Sequence, residues 1–373
     1  MRLGATVPFA EAAAVLGLAL GLRVSPATVR RHTAAAGAVA LRAEAAELAR
    51  VEQALPVAAT PPERLQLSLD ATTVSLVGGG WTDVKLATFG ELVPGRDAAG
   101  QPLLQAERVS DAARGEPADQ FGRTLTLEAN RRGRDEAGLV LGVTDGADWI
   151  QGPLDRIAPR ALRLLDEIHA AEHRRAIADL ACGAGTPAAR AWTDEQRLQL
   201  QLAPPAALVA ERARRRAAGP CPGAPDGPGG LPPRAWLARA VAYFEQRAAQ
   251  IADAAFREQG DPIGSGIVER GHRVVIGARL QGAGQHWAPA SLNPLLVLRT
   301  AICNDRWAAT WPALRAARRQ DAVAAARARR PHRRPPPRPR RGPGAWSPAG
   351  RPPTTPGVAP PPASSPAPPA PKL

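Results

Sequence analysis

Cysteine is nearly absent: Cys182, Cys221 and Cys303 are the only three in 373 residues, and none stands in a C-x-x-C pair. That excludes a disulfide framework or a cysteine-rich zinc module and fits a reducing compartment. Lysine is scarcer still. Lys85 and Lys372 are the only two, so 46 of the 48 basic residues are arginine. Aromatic residues make up 4% of the chain and include a single tyrosine. No window reaches the roughly 18 uninterrupted apolar residues of a membrane span. AAAVLGLALGL near the start is too short and has no basic leader. The expectation is a cytoplasmic protein that does not use a membrane.

What is present in excess is positive charge. Lys+Arg 48 against Asp+Glu 34 gives +14, with a pI of about 11.3, which points to a polyanionic partner such as nucleic acid. Abundant Ala, Gly, Pro and Arg together also match a GC-rich coding sequence, which accounts for part of the arginine. Composition divides the chain into a helical, Ala-rich segment over 1–60, alternating strands and helices from 63, helices over about 174–260, and a compact stretch to 312. From 313 the chain turns to RARRPHRRPPPRPRRGPG and PPPASSPAPPAP, which cannot bury enough apolar surface to offset chain entropy. The tail over 313–373 is expected to be disordered. Residues 327–373 contain ten basic residues and no acidic one.

Near the start, FAEAAAVLGLAL reads as a helix, GLRV as a turn, and Ser25-Pro26 as the cap and first turn of SPATVRRHTAAAG. This outlines a helix-turn-helix, with Thr28, Arg30, Arg31 and Thr33 as residues that would face a DNA groove or phosphates. Two packed helices with an exposed Arg pair give the same spacing. Further on, LQLSLDATTVSL alternates apolar and polar residues around Asp70, and WTDVKLATFGELV and LLQAERV follow as strands. EPADQFGRTLTLEANRRG reads as a helix, AGLVLGVTDG as a buried strand stopping at Asp145, and ALRLLD as a strand ending in Asp166. Three strands, a helix, a strand, a helix and a strand form a ribonuclease-H-like order, a mixed sheet flanked by helices. Such a sheet would bring Asp70 and Asp145 to one edge. Asp166, which also ends a strand, is the alternative second acid. In GDPIGSGIVERGHRVVIGARL, Gly264-Ser265-Gly266 signals a helix start and puts Glu269 in its first turns as a third acid. Hard carboxylate oxygens of this kind suit Mg²⁺.

LSLDATTVSLVGGGWTDVK, EANRRG with VTDGADWIQG, LLDEIHAAEH, and the long block IGSGIVERGHRVVIGARLQGAGQHWAPASLNPLLVLRTAICNDRW resemble the DDE transposases of bacterial insertion sequences, of the ISKra type. The resemblance covers about residues 1–312. It implies a ribonuclease-H-like catalytic domain over 63–312 interrupted by a helical insertion at about 174–260. Asp70, Asp145 and Glu269 would be the catalytic and metal-binding triad, and Asp166 with His169 the supporting D-x-x-H pair. It implies two Mg²⁺ or Mn²⁺ ions, and as partners the transposon ends and target DNA, engaged by a homo-oligomer associated with the nucleoid. Arg270, Arg273 and Arg279, on or near the Glu269 helix, join Arg30 and Arg31 as candidate DNA contacts. Members of the family carry sequence ahead of the helix-turn-helix, so the chain reads as shortened at its N-terminus.

Two other readings compete. A transposase-derived protein that has lost catalysis would bind DNA without cutting it. His169, Glu172 and His173 also spell H-x-x-E-H, the pattern of one class of zinc peptidase. That chemistry needs a third ligand, and nothing between about 174 and 260 offers a distinctive acidic helix for it. Packing of His173 is the plainer expectation, and Trp149 is expected in the core.

Overall fold

Five strands form one mixed sheet in the order β3-β2-β1-β4-β5. β1 (Arg64–Ser75), β2 (Trp81–Arg96) and β3 (Pro102–Arg114) are an antiparallel meander. β4 (Leu139–Thr144) and β5 (Leu162–Leu165) add on parallel to β1, after α4 (Ala118–Arg131) and α5 (Asp148–Ile157) respectively. The elements follow one another as the apolar periodicity predicts. The computed structural model describes residues 1–54, 60–96, 99–202, 204–251, 256 and 258–329.

The alternation in β1 explains the two covered faces. Leu65, Leu67 and Leu69 turn to one side and pack with Phe121 and Leu125 of α4 and Ile150 and Leu154 of α5. Successive strand residues face opposite ways, so Gln66, Ser68, Asp70 and Val74 turn to the other side. There Val74, Val84 and Leu86 join Val268, Val275 and Leu280 in a second core. Those last three belong to α10, which begins as Gly266–Gly271, passes through a π-helical turn at His272–Gly277 and ends at Ala278–Leu280. π turns within α-helices are frequent at functional sites.

The same core includes Ala5, Ala36, Val39 and Ala40 from α1 (Arg2–Thr6) and α3 (Pro26–Gln53), and Leu295 and Leu296 from α11 (Pro289–Cys303). α3 crosses α11 so closely that a Cβ on Gly37 would lie 1.9 Å from the Pro294 carbonyl oxygen. α1 and α3 therefore contribute to the sheet's own core. α2 (Phe9–Leu20) and α3 do flank a turn, with the Ser25 side chain accepting from the Thr28 amide. α3 runs for 28 residues.

The helical stretch after β5 has its own core. α6 (Glu167–Cys182), α7 (Pro187–Leu202), α8 (Pro205–Ala218) and α9 (Pro233–Gln246) bury Ile177, Trp192, Leu208, Val241 and Phe244 together. Met1–Ala324 is one compact unit. A correction concerns the boundary at 313. α12 spans Trp307–Arg329, and Leu314 is buried in the sheet's core, so the first part of the expected disordered tail is helical. The rest of the tail, 330–373, lies outside the described residues. Trp149 packs against the core as expected, whereas Trp81 is 69% exposed. Among the described residues no helix is long and apolar enough to cross a membrane.

Candidate active site

The parallel register of β1 and β4 decides the geometry. The β1–β4 ladder runs in parallel register as far as Leu67 opposite Gly142, and Asp70, three residues further along β1, is close enough for its charge to act on Asp145, the residue after β4. Asp70 faces α10 through His272, and Asp145 follows the end of β4. Clefts at the carboxyl ends of parallel strands are where α/β proteins place ligands. Asp70 Oδ1 accepts from the Ala71 amide at 2.6 Å, leaving Oδ2 turned toward His272 Nε2 at 3.5 Å. Asp145 Oδ1 accepts from the Ala147 amide at 2.8 Å. Burial pushes the Asp145 carboxyl above its usual range, the Ala147 amide opposes this, and the negative charge of Asp70 adds to the rise. A negative charge beside a half-buried carboxyl is a setting that a bound cation would relieve.

Glu269 is exposed in the first turn of α10. Its charge, like that of Asp70, acts on His272, whose proton affinity burial depresses. The His272 Nε2 is buried and makes no hydrogen bond. The three predicted acids thus share one neighbourhood, linked pairwise through Asp70 and His272. As they stand they do not converge. Among the described residues, no three of His, Cys, Asp or Glu come close enough to hold a metal ion. Asp70 and Asp145 could still supply the one or two carboxylates by which Mg²⁺ is usually held, where waters and substrate phosphates complete the shell.

The predicted supporting pair divides. Asp166 is fully buried and caps α6: Oδ1 accepts from the Ile168 and His169 amides at 2.7 and 3.2 Å, and Oδ2 from the Ser265 amide. With both oxygens held by backbone, it is not disposed to meet an ion as a second site acid. Its contact with Ser265 ties the start of α6 to the residue that precedes the Glu269 helix. His169 is partly exposed and its charge reaches Asp145, favouring that carboxylate. His173 stacks flat on Tyr243 with ring centroids 3.8 Å apart, which is the packing role expected for it.

The arginines divide too. Arg30, Arg31, Arg270 and Arg273 are exposed, with Arg270 Nη1 3.8 Å from Asp111 Oδ2. Arg279 corrects the prediction. It is 2% exposed, lies against the Phe9 and Trp287 rings at 4.6 and 5.0 Å, and donates to the Gly4 carbonyl, so it faces the interior and not DNA. Thr33 is likewise buried and cannot face a groove.

Three residues near the acids escape a reading by motif. His272 lies three positions after Glu269, a helical spacing that could have pointed to it. Tyr243 is the chain's only tyrosine, and its hydroxyl donates to the Asp145 carbonyl at 2.6 Å. Arg247, one more arginine among 46, donates to the Gly146 carbonyl at 2.5 Å. No family profile and no curated protein matches the chain.

Proposed function

We propose that the chain is a DDE-type transposase that cuts and joins DNA, with a ribonuclease-H-like catalytic centre at Asp70, Asp145 and Glu269. The observation that carries this reading is the approach of Asp70, on β1, to Asp145, just after the adjacent parallel strand β4, with Glu269 on the helix whose His272 meets Asp70. The strand order and the net charge of +14 support it. Asp70 and Asp145, joined by Glu269, would hold Mg²⁺ or Mn²⁺, two ions in the full site. Bound there, such ions neutralise phosphate charge and lower the pKa of the attacking oxygen.

The chain's own residues would do the rest. Asp145 is kept in place by the Ala147 amide and Asp70 by the Ala71 amide, so neither carboxylate must be ordered when substrate arrives. Arg270 and Arg273 extend from the Glu269 helix and would hold the strand's phosphates beside the acids. Arg30 and Arg31, exposed after the turn between α2 and α3, would engage the transposon end in the manner of a helix-turn-helix. Assembly on paired ends as a homo-oligomer, at the nucleoid, belongs to the same proposal.

A second reading is favoured by one observation: no three potential ligands converge among the described residues. A DNA-binding protein derived from a transposase, without cleavage, fits that arrangement. The experiment that separates them is incubation of the full chain with DNA carrying its flanking inverted repeats, with Mg²⁺ or Mn²⁺. Cleavage that disappears in Asp70→Ala, Asp145→Ala and Glu269→Ala while end binding persists supports the enzyme. Binding without cleavage in the unmutated chain supports the second reading.

A further inference from the structure

We infer that the helical insertion sets the position of Asp145 through a two-residue clamp, Tyr243 and Arg247, and that both act as positioning residues for that acid. The inference rests on the reading of Asp145 as a site acid. α9 lies about a hundred residues further along the chain, yet it reaches the loop that follows β4. The Tyr243 hydroxyl donates to the Asp145 carbonyl at 2.6 Å, and Arg247 Nε donates to the next carbonyl, Gly146, at 2.5 Å. Arg247 Nη2 also reaches Asp148 Oδ1 at 2.7 Å. The clamp is itself held from behind. The guanidinium lies 4.7 Å over the Tyr243 ring, Nη1 donates to the Tyr243 carbonyl at 3.2 Å, and His173 of α6 stacks on the same ring at 3.8 Å.

The fit leaves no slack. Gly146 has φ +73°, and a Cβ there would lie 2.7 Å from the Arg247 Cδ and 2.6 Å from Leu165, so the loop is pressed against the clamp. Both donors grip backbone carbonyls and leave the Asp145 carboxylate free to bond the Ala147 amide and face Asp70. A loop fixed by its backbone carries its side chain at a fixed angle. This is how an insertion with its own core can govern a carboxylate it does not touch.

Tyr243→Phe keeps the ring stack and removes only the hydroxyl. Three measurements on the full chain read its effect: hydrogen exchange at residues 146–148, the Mn²⁺ binding isotherm and the thermal midpoint. The Ala147 amide is the direct reporter, since it donates to the Asp145 carboxylate. Losing one hydrogen bond of about 1 kcal/mol should speed exchange there and weaken Mn²⁺ binding, each by roughly three- to tenfold. The thermal midpoint should move by no more than about 2 °C in a unit of this size. Arg247→Lys, which retains the charge but not the fork, should fall on the same side with a change at least as large. Unchanged exchange at Ala147 overturns the clamp. Faster exchange with Mn²⁺ affinity within twofold of wild type, while Asp145→Ala abolishes Mn²⁺ binding, overturns its role in the site. If Asp145→Ala leaves Mn²⁺ binding intact, the metal reading fails separately, and the exchange result alone decides the clamp.

Discussion

β4 and β5 lie side by side, run the same way and each lead into an aspartate, yet the two ends have opposite environments. Asp145 after β4 is half-buried, with one oxygen on a single amide and the charge of Asp70 acting on it. Asp166 after β5 has no exposed surface and three backbone amides on its two oxygens. In sequence the two are equivalent, an apolar run that stops at an acid. What separates them is the residue that arrives from far along the chain. Ser265 closes over Asp166, whereas Tyr243 and Arg247 hold Asp145 by its carbonyl side and leave its carboxylate open. An acid at a strand end becomes a cap or a candidate site group according to which of its faces the tertiary structure fills.

The largest effect expected from this contrast is on stability. Asp166→Ala leaves the Ile168, His169 and Ser265 amides without their acceptor. A lost cap and stranded buried donors should together cost about 3 kcal/mol. Asp145→Ala strands one partly solvated amide and should cost below about 1 kcal/mol. Urea unfolding of the two variants reads the difference, and equal midpoints would remove the basis for treating the two acids differently.

A second matched pair lies on α10 and should give a smaller separation. Arg279 lies inside, against two aromatic rings with the Gly4 carbonyl as acceptor, and Arg270 points outward with 49% of its side chain exposed. Arg279→Ala should lose about 2 kcal/mol, combining cation–π contact, a charge-assisted hydrogen bond and packing. Arg270→Ala should stay within about 0.5 kcal/mol, as surface substitutions do. Under the proposed function the order reverses for DNA. Arg270→Ala should reduce the slope of log K against log salt by up to about 0.9, the value for one phosphate contact. A stable Arg279→Ala variant would show that the N-terminal helices are not riveted to α10 by this side chain.

These pairs also show how far the sequence could be read. Period-two alternation in LQLSLDATTVSL and the short apolar run of LVLGVT are local signals, and the strands formed where those patterns lay. The approach of Asp70 to Asp145 was legible because it needs only the strand order and the register. The status of Asp166 was not, since Ser265, which holds it, is 99 residues away. Arg279 and Arg270 look alike in a string of arginines, and only the crossing of Phe9 and Trp287 distinguishes them. The Pro-rich composition beyond 313 read as uniform tail, but the apolar Trp307, Trp311 and Leu314 had already committed the preceding turns to the core, and helix continues to Arg329.

The smallest effect expected is a pH dependence at the Asp145 end. Burial first, and the charge of Asp70 next, hold the Asp145 carboxyl above its ordinary value of 3.8, against the pull of the Ala147 amide. The folded chain therefore binds this proton more tightly than the unfolded one. Folding is favoured while the group is protonated, and that advantage is lost as pH rises from the unfolded pKa through the folded one. Asparagine keeps an oxygen for the Ala147 amide and never ionises. Asp145→Asn should thus match the parent near about pH 3, gain on it through the carboxylate range and hold a constant lead up to about pH 7. Paired thermal scans across that range measure the lead directly. A lead that shrinks with rising pH would mean that the ionised carboxylate is the better-accommodated form, with His169 and Arg247 outweighing burial. In that case the crowding of Asp145 by Asp70, on which the comparison of the two strand ends depends, would have to be given up.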